Sequence, residues 1–207
     1  HRQQFVQSEN TIRRVFGTSG TLTFRPSFYN RHSFSLGYNR ASIADTVYRL
    51  NNDYFQQNTN LQEYFGFAYS FVHDRRDYVA YPLTGSRLGL SMSQLGLGVF
   101  DDVNMFTTQL DYSTFTQLGK KLYWANAFDV YKTFTNDIPY TSRTGFGYNP
   151  YFIRGYERYV VESDFLASYR TAIRYQLLKG VKELNKRSMI DQFRTLPYAF
   201  YLKLFMD

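Results

Sequence analysis

The sequence has no cysteine among its 207 residues. That excludes a disulfide framework, thiolate metal sites and thiol catalysis. Histidine is scarce: His1, His32 and His73 stand too far apart for an H-E-x-x-H pair. A G-x-S-x-G nucleophile turn and a Walker-type phosphate loop are also lacking. His73 would need a nearby serine to activate, and Ser70, three residues back, falls on the opposite strand face. No pair of acids stands out as a glycosidase arrangement. No run of 18 apolar residues occurs, which excludes a conventional membrane-spanning helix. Leu, Ile and Ala are too few to clothe both faces of a sheet with helices, which disfavours an α/β enzyme. These absences point to a protein that is not an enzyme and that needs no metal and no cofactor.

Aromatic residues are what the chain has in excess: 20 Tyr, 20 Phe and one Trp, a fifth of the sequence. A disordered chain would be poor in them. Yet the mean hydropathy is −0.45, so the rings must be offset by polar residues close by. The formal net charge is +7, which admits nucleic acid or anionic lipid as a partner. The densest basic stretch, Lys179–Arg187, also holds Glu183 and lies between two apparent strands; it reads as a solvated turn. A single-strand binder would set its rings beside a basic groove, whereas here they alternate along strands, so no nucleic-acid partner is expected. The chain begins His-Arg-Gln-Gln without Met or leader, which carries no information about destination.

Alternation with a period of two dominates. Phe34, Leu36 and Tyr38 alternate with Ser33, Ser35, Gly37 and Asn39; Phe65, Phe67, Tyr69 and Phe71 alternate with Gly66, Ala68 and Ser70. Further on, Phe165, Ala167, Tyr169, Thr171, Ile173, Tyr175 and Leu177 oppose Leu166, Ser168, Arg170, Ala172, Arg174 and Gln176. Leu196, Tyr198, Phe200, Leu202, Leu204 and Met206 oppose Pro197, Ala199, Tyr201, Lys203, Phe205 and Asp207. Each run is a strand with one apolar and one mostly polar face. The runs at 164–178 and 195–207 exceed the usual strand length and match what a tilted strand needs to cross a bilayer. In hydrocarbon every backbone polar group must be paired within a closed sheet. The expected fold class is therefore all-β, a transmembrane antiparallel β-barrel with eight or nine crossings in one domain, residues 1–207, its apolar face in lipid and its polar face lining a wet lumen.

The connections fit that plan. Short turns are expected at Pro26–Arg31, Pro82–Ser86 and Thr116–Lys120, on the periplasmic side. Longer loops are expected at Asn51–Asn60, Val99–Asn104 and about 136–162, on the other side. Lys179–Arg194 is too long for its side and would hold a small helix or an extended turn; residues 1–16 form a hairpin or a ragged strand. Tyr78, Tyr81, Tyr112, Tyr123 and Tyr159 are candidates for an interfacial girdle.

Two segments go beyond pattern: Val72–Leu90, VHDRRDYVAYPLTGSRLGL, and Tyr151–Tyr159, YFIRGYERY. In order and spacing they resemble the barrel region of the Omp85 superfamily. The first resembles the family's turn motif, with Asp74, Arg76, Asp77, Pro82, Gly85 and Arg87. The second resembles its V/I-R-G-F/Y loop motif, with Ile153, Arg154, Gly155 and Tyr156. The last strand resembles a family strand that ends in Asp, here Asp207. The abundance of Tyr, Phe and Asn is similar to members from Bacteroidetes.

The resemblance implies a barrel of sixteen strands preceded by periplasmic POTRA domains, so this chain would be part of one, with about three strands to follow Asp207. It implies that the loop at 136–162 folds into the lumen, where Arg154 meets an acid, Asp207 first among the candidates. Parity also puts Asp207 on the lumenal face with Lys203, and an Arg in a partly dry lumen needs a carboxylate or carbonyl partner. Glu157, Glu162, Arg170, Arg174 and Lys203 would form a lumenal charge network. The implied function is a BamA- or TamA-type factor in a Gram-negative outer membrane that inserts β-barrel proteins without catalysis. Its partners would be outer-membrane lipid and lipopolysaccharide, client barrels and accessory lipoproteins. The alternatives are a secretion or translocation pore of the same superfamily, a small porin-like or adhesin-like barrel, and a soluble β-sandwich.

Overall fold

The structure, a computed structural model, describes residues 12–55, 57, 59–100, 102–135, 138–148, 153–155, 159–183 and 195–207. Its main feature is an eight-stranded sheet made of β1 (Arg13–Phe24), β2 (Asn30–Ile43), β3 (Leu61–Asp74), β4 (Gly85–Leu95), β5 (Met105–Gln117), β6 (Leu122–Thr133), β9 (Phe165–Glu183) and β10 (Thr195–Met206), neighbours in that order. A two-stranded sheet pairs β7 (Gly145–Phe146) with β8 (Val161–Glu162). One short helix, α1 (Asp45–Leu50), and single 3-10 turns at Asn52–Tyr54 and Tyr140–Ser142 complete the elements.

The residues fall into two compact units: residues 1–73, 89–110 and 130–167, and residues 74–88, 111–129 and 168–207. In the first, β1, β2 and β3 pair antiparallel in unbroken register. Because directly opposed residues share a face, the register stacks Phe34 on Tyr69, Leu36 on Phe67 and Tyr38 on Phe65. Two of these are ring pairs, with centroids 5.0 Å and 5.3 Å apart. The opposite face sets Ser33 against Ser70, Ser35 against Ala68 and Gly37 against Gly66, and the Thr21 and Ser35 hydroxyls hydrogen-bond at 2.8 Å. After β2 the chain turns into α1, where Ala41, Ile43 and Phe55 form a small buried cluster covered by Val47, Tyr48 and Tyr54. The ring of Tyr54 lies 6.0 Å from that of Tyr140.

In the second unit, β9 and β10 pair antiparallel, with a register shift between Phe200 and Tyr201 that leaves Leu177 unopposed. Below the shift Lys203 faces Arg174 and Phe205 faces Ala172, while Leu204 faces Ile173 and Leu202 faces Tyr175. The apolar face joins neighbouring strands through its polar tips: Trp124 Nε1 donates to Thr171 Oγ1 at 2.9 Å and the Tyr169 hydroxyl donates to Asn126 at 2.7 Å.

Burial is inverted relative to a water-soluble domain. Leu204 is 75% exposed and Leu36 55%, while Arg174, Gln62 and Thr133 are buried. Large apolar side chains left outward in such numbers need an apolar solvent. The low mean hydropathy is thus the average of two unlike faces.

The eight long strands agree with the expected count, and most boundaries shift by a few residues. The turn expected at 82–86 is the end of a ten-residue connection, 75–84, across whose base the Arg75 N–H still donates to the Ser86 carbonyl and the Asp77 N–H to that of Thr84. Residues 13–16 belong to β1 rather than to a separate hairpin, and 179–183 belong to β9 rather than to the following turn. The small helix lies at 45–50; the one considered within 179–194 falls mostly outside the described residues.

Candidate functional site

The turn at 75–84 is built from its own motif residues. Asp74 receives the Arg76 guanidinium as a fork, Nε to Oδ1 at 2.9 Å and Nη2 to Oδ2 at 2.7 Å, and the Arg76 backbone N–H at 3.1 Å. Asp77 accepts the backbone N–H groups of Tyr78 at 2.8 Å and Leu83 at 3.0 Å, tying one end of the turn to the other. Burial pushes the Asp77 carboxyl up. Hydrogen bonds from Leu83, Tyr78 and Thr84 outweigh it and hold the group below the usual aspartate value. Gly85 closes the turn at φ +99°, and a Cβ there would lie 2.1 Å from the Arg75 carbonyl oxygen. Only glycine meets both demands. Arg87, two residues on, forms an ion pair with Asp111 of β5.

The far end of the same turn is clipped to β9. Arg174, 9% exposed, donates from Nη1 to the Pro82 carbonyl at 2.5 Å. Its guanidinium lies 4.5 Å from the centre of the Tyr81 ring and 5.7 Å from that of Phe115. Tyr201 of β10 packs on Tyr81 at 5.2 Å and on Tyr123 of β6 at 6.3 Å. A buried cation is tolerated here because rings and a carbonyl replace its water. Of the turn-motif residues expected from the sequence, all six lie in this turn or on the strands beside it.

The residues expected to form one lumenal charge network occupy separate settings. Arg170 pairs with Asp129 of β6 at 2.5 Å, and Arg174 joins the aromatic clip. Lys203 lies directly opposite Arg174 in the ladder. Glu162, on β8, accepts from the Tyr148 hydroxyl at 2.9 Å and lies 3.5 Å from Arg143. The Glu162 bond raises the Tyr148 pKa. Asp111 and Asp129, the acids that meet Arg87 and Arg170, were not among the expected residues. Parity places both on polar faces, but their partners follow only from the neighbour order of the strands.

The long segment between β6 and β9 is tied at its base. The Thr133 N–H donates to the Asp164 carbonyl at 2.8 Å, and Lys132 reaches the Asp164 carboxylate at 2.5 Å. Within it Ile153 is half-buried, Arg154 and Gly155 are exposed, and Gly155 has φ +85°. Tyr156 and Glu157 lie outside the described residues. Asp207 is exposed at the end of β10. Among the described residues no group of His, Asp and Glu is placed to hold a metal ion, and no helix is long and apolar enough to cross a membrane.

Comparison with known structures places the fold. BamA from Haemophilus ducreyi, in a structure lacking POTRA domains 1–3, superposes with a TM-score of 0.58 at 16% sequence identity, over 79% of this chain and 37% of that one. This chain therefore spans little more than a third of that protein's resolved length, as part of an antiparallel β-barrel wall of the same kind. No curated protein sequence matches. The Omp85 superfamily domain matches residues 1–165. With a two-faced antiparallel wall and a family match over most of its length, the chain belongs to the Omp85 superfamily.

Proposed function

We propose that the chain is part of the membrane barrel of an assembly factor that inserts other β-barrel proteins into a Gram-negative outer membrane, without covalent catalysis. Family membership over residues 1–165 is the observation that supports it. The physical task suits a barrel wall, because a strand edge templates another strand through backbone hydrogen bonds. In this reading the full protein carries POTRA domains and the remaining strands of a sixteen-stranded barrel. It contacts outer-membrane lipid and lipopolysaccharide, and accessory lipoproteins assist it. Arg154 braces the 136–162 loop inside the lumen through Asp207, with Tyr156 packing beside it and Glu157 adding a lumenal charge.

The second reading, a secretion or translocation pore, is favoured by the Ser-, Gly- and Thr-rich polar face of β1–β3, which suits a wet passage. The test is reconstitution of the full-length protein in liposomes, with folding of an unfolded outer-membrane barrel followed by gel mobility. Faster client folding, lost in Arg154→Asp and recovered in Arg154→Asp with Asp207→Arg, supports the assembly reading and the pair together. Transport of an unfolded passenger with no acceleration of client folding would replace it with the pore.

A further inference from the structure

β9 is much longer than its neighbour. It runs 19 residues, whereas about 9–11 suffice to cross a bilayer with tilt. The Gln176 N–H donates to the Lys121 carbonyl at 2.8 Å, and Lys121 ends the connection that precedes β6. Beyond that point Leu177–Glu183 continue past the end of β6, and Leu178–Glu183 pair with Thr195–Phe200 of β10. The result is a two-stranded ribbon projecting about 20 Å at roughly 3.4 Å per residue.

The bulge at Leu177 sits where the ribbon leaves the wall, and it resets the faces. Without it Leu178 would continue the polar face of Arg174 and Gln176. With it, Leu178 opposes Phe200, Gly180 opposes Tyr198 and Lys182 opposes Leu196. Phe200, Tyr198 and Leu196 also continue the line of Leu202, Leu204 and Met206, so the apolar face of the wall runs on into the ribbon. Tyr198 lies across Gly180, where a Cβ would meet its hydroxyl at 2.6 Å. A ring with a polar tip is thus laid flat along the ribbon. Leu178, Leu196 and Phe200 are each more than half exposed. Lys179 and Lys182 are exposed and make no ion pair among the described residues.

We propose that this ribbon is a membrane-surface anchor. It lies in the headgroup layer of the leaflet at this end of the wall, with its apolar face toward the acyl chains and Lys182, with Lys179, on anionic phospholipid phosphates. Three observations select lipid as the occupant. The ribbon's apolar face is continuous with the lipid-facing wall. Its two exposed lysines, Lys179 and Lys182, outnumber its one acid, Glu183 at the tip, matching an anionic surface. It also combines a tyrosine and a lysine on one face, a pairing suited to the interface, where the ring and the lysine stem reach inward and the charge stays at the surface. The proposal rests on the barrel reading and is indifferent to whether the protein inserts or secretes.

These 207 residues hold no cysteine to compete with a label, and any elsewhere in the full-length protein is first replaced by serine. The full-length protein, with Leu196→Cys carrying an environment-sensitive fluorophore, is placed in nanodiscs of phosphatidylcholine alone or with phosphatidylglycerol, and contact is read by spin-labelled lipid quenching. Quenching should rise with phosphatidylglycerol and fall with added salt. Lys182→Glu should cut the preference for the anionic lipid about fivefold, with heat-modifiable gel mobility confirming that the barrel is intact. A label exposed to water in both lipids, or one shielded only when a periplasmic protein is added, would overturn the anchor. Equal quenching in both lipids would overturn the phosphate contact.

Discussion

The 75–84 turn and the 134–164 segment each carry a stretch of sequence that resembles a family motif, but they are stabilised over different ranges. In the turn, Asp74 holds Arg76 two residues on and Asp77 reaches Leu83 six residues on. In the long segment Lys132 reaches Asp164, thirty-two residues on, and Tyr148 reaches Glu162, fourteen residues on. The two glycines sharpen the contrast. Gly85 and Gly155 both have positive φ, but a side chain at 85 would strike the Arg75 carbonyl and one at 155 would meet open space. A motif that encodes local geometry completes itself; a motif that encodes docking needs a surface from elsewhere in the chain.

The largest effect that would test this contrast is expected from Gly85→Val. A β-branched residue there combines left-handed strain with a backbone clash, a cost of about 3 kcal/mol or more. Thermal unfolding of the refolded protein in detergent should show a sharply lowered transition, and a near-native melting temperature would mean that the turn is not rigid. An intermediate effect is expected on acidification. The Asp77 pKa is depressed in the folded protein, so its contribution is fully present above the ordinary aspartate pKa of about 3.9 and is lost as pH falls through the lower folded value. The amide resonances of Tyr78 and Leu83 should shift together in that window, and Asp77→Asn should abolish the shift. A transition unchanged in Asp77→Asn would assign it to another acid. The smallest effect is expected from Gly155→Ala, about 1 kcal/mol from backbone strain alone, with normal folding in the same thermal assay. A loss as large as that of Gly85→Val would show that position 155 is packed as tightly as the turn and would erase the distinction.

Much of this architecture was legible before any coordinates. The face assignments of Phe34, Leu36 and Tyr38, and of Arg170, Ala172 and Arg174, agree with the registers and burial of β2 and β9. The mate of Arg170 was not legible, because Asp129 lies on β6, separated from β9 by more than thirty residues of connection, and no local pattern announces which strands will be neighbours. The Arg174 clip was hidden for the same reason. Arg174 read as one more lumenal charge until Tyr81, Pro82 and Phe115 were brought around it. The bulge at Leu177 was also missed, although the adjacent Leu177 and Leu178 break the alternation there, because two neighbouring leucines do not say which of them goes unopposed.

The sequence by itself determined that the strands are long and two-faced, that rings belong on one side and small polar residues on the other, and that Asp74 and Asp77 stand within a few residues of the groups they bond. Those are consequences of the two-residue period of a strand and of hydrogen bonds a few residues apart. The tertiary structure alone decided which acid meets which arginine, how a buried cation is held by rings and a carbonyl, and how far β9 runs past the end of β6. Each of these depends on strand adjacency and register, which are set by the pairing of the whole sheet.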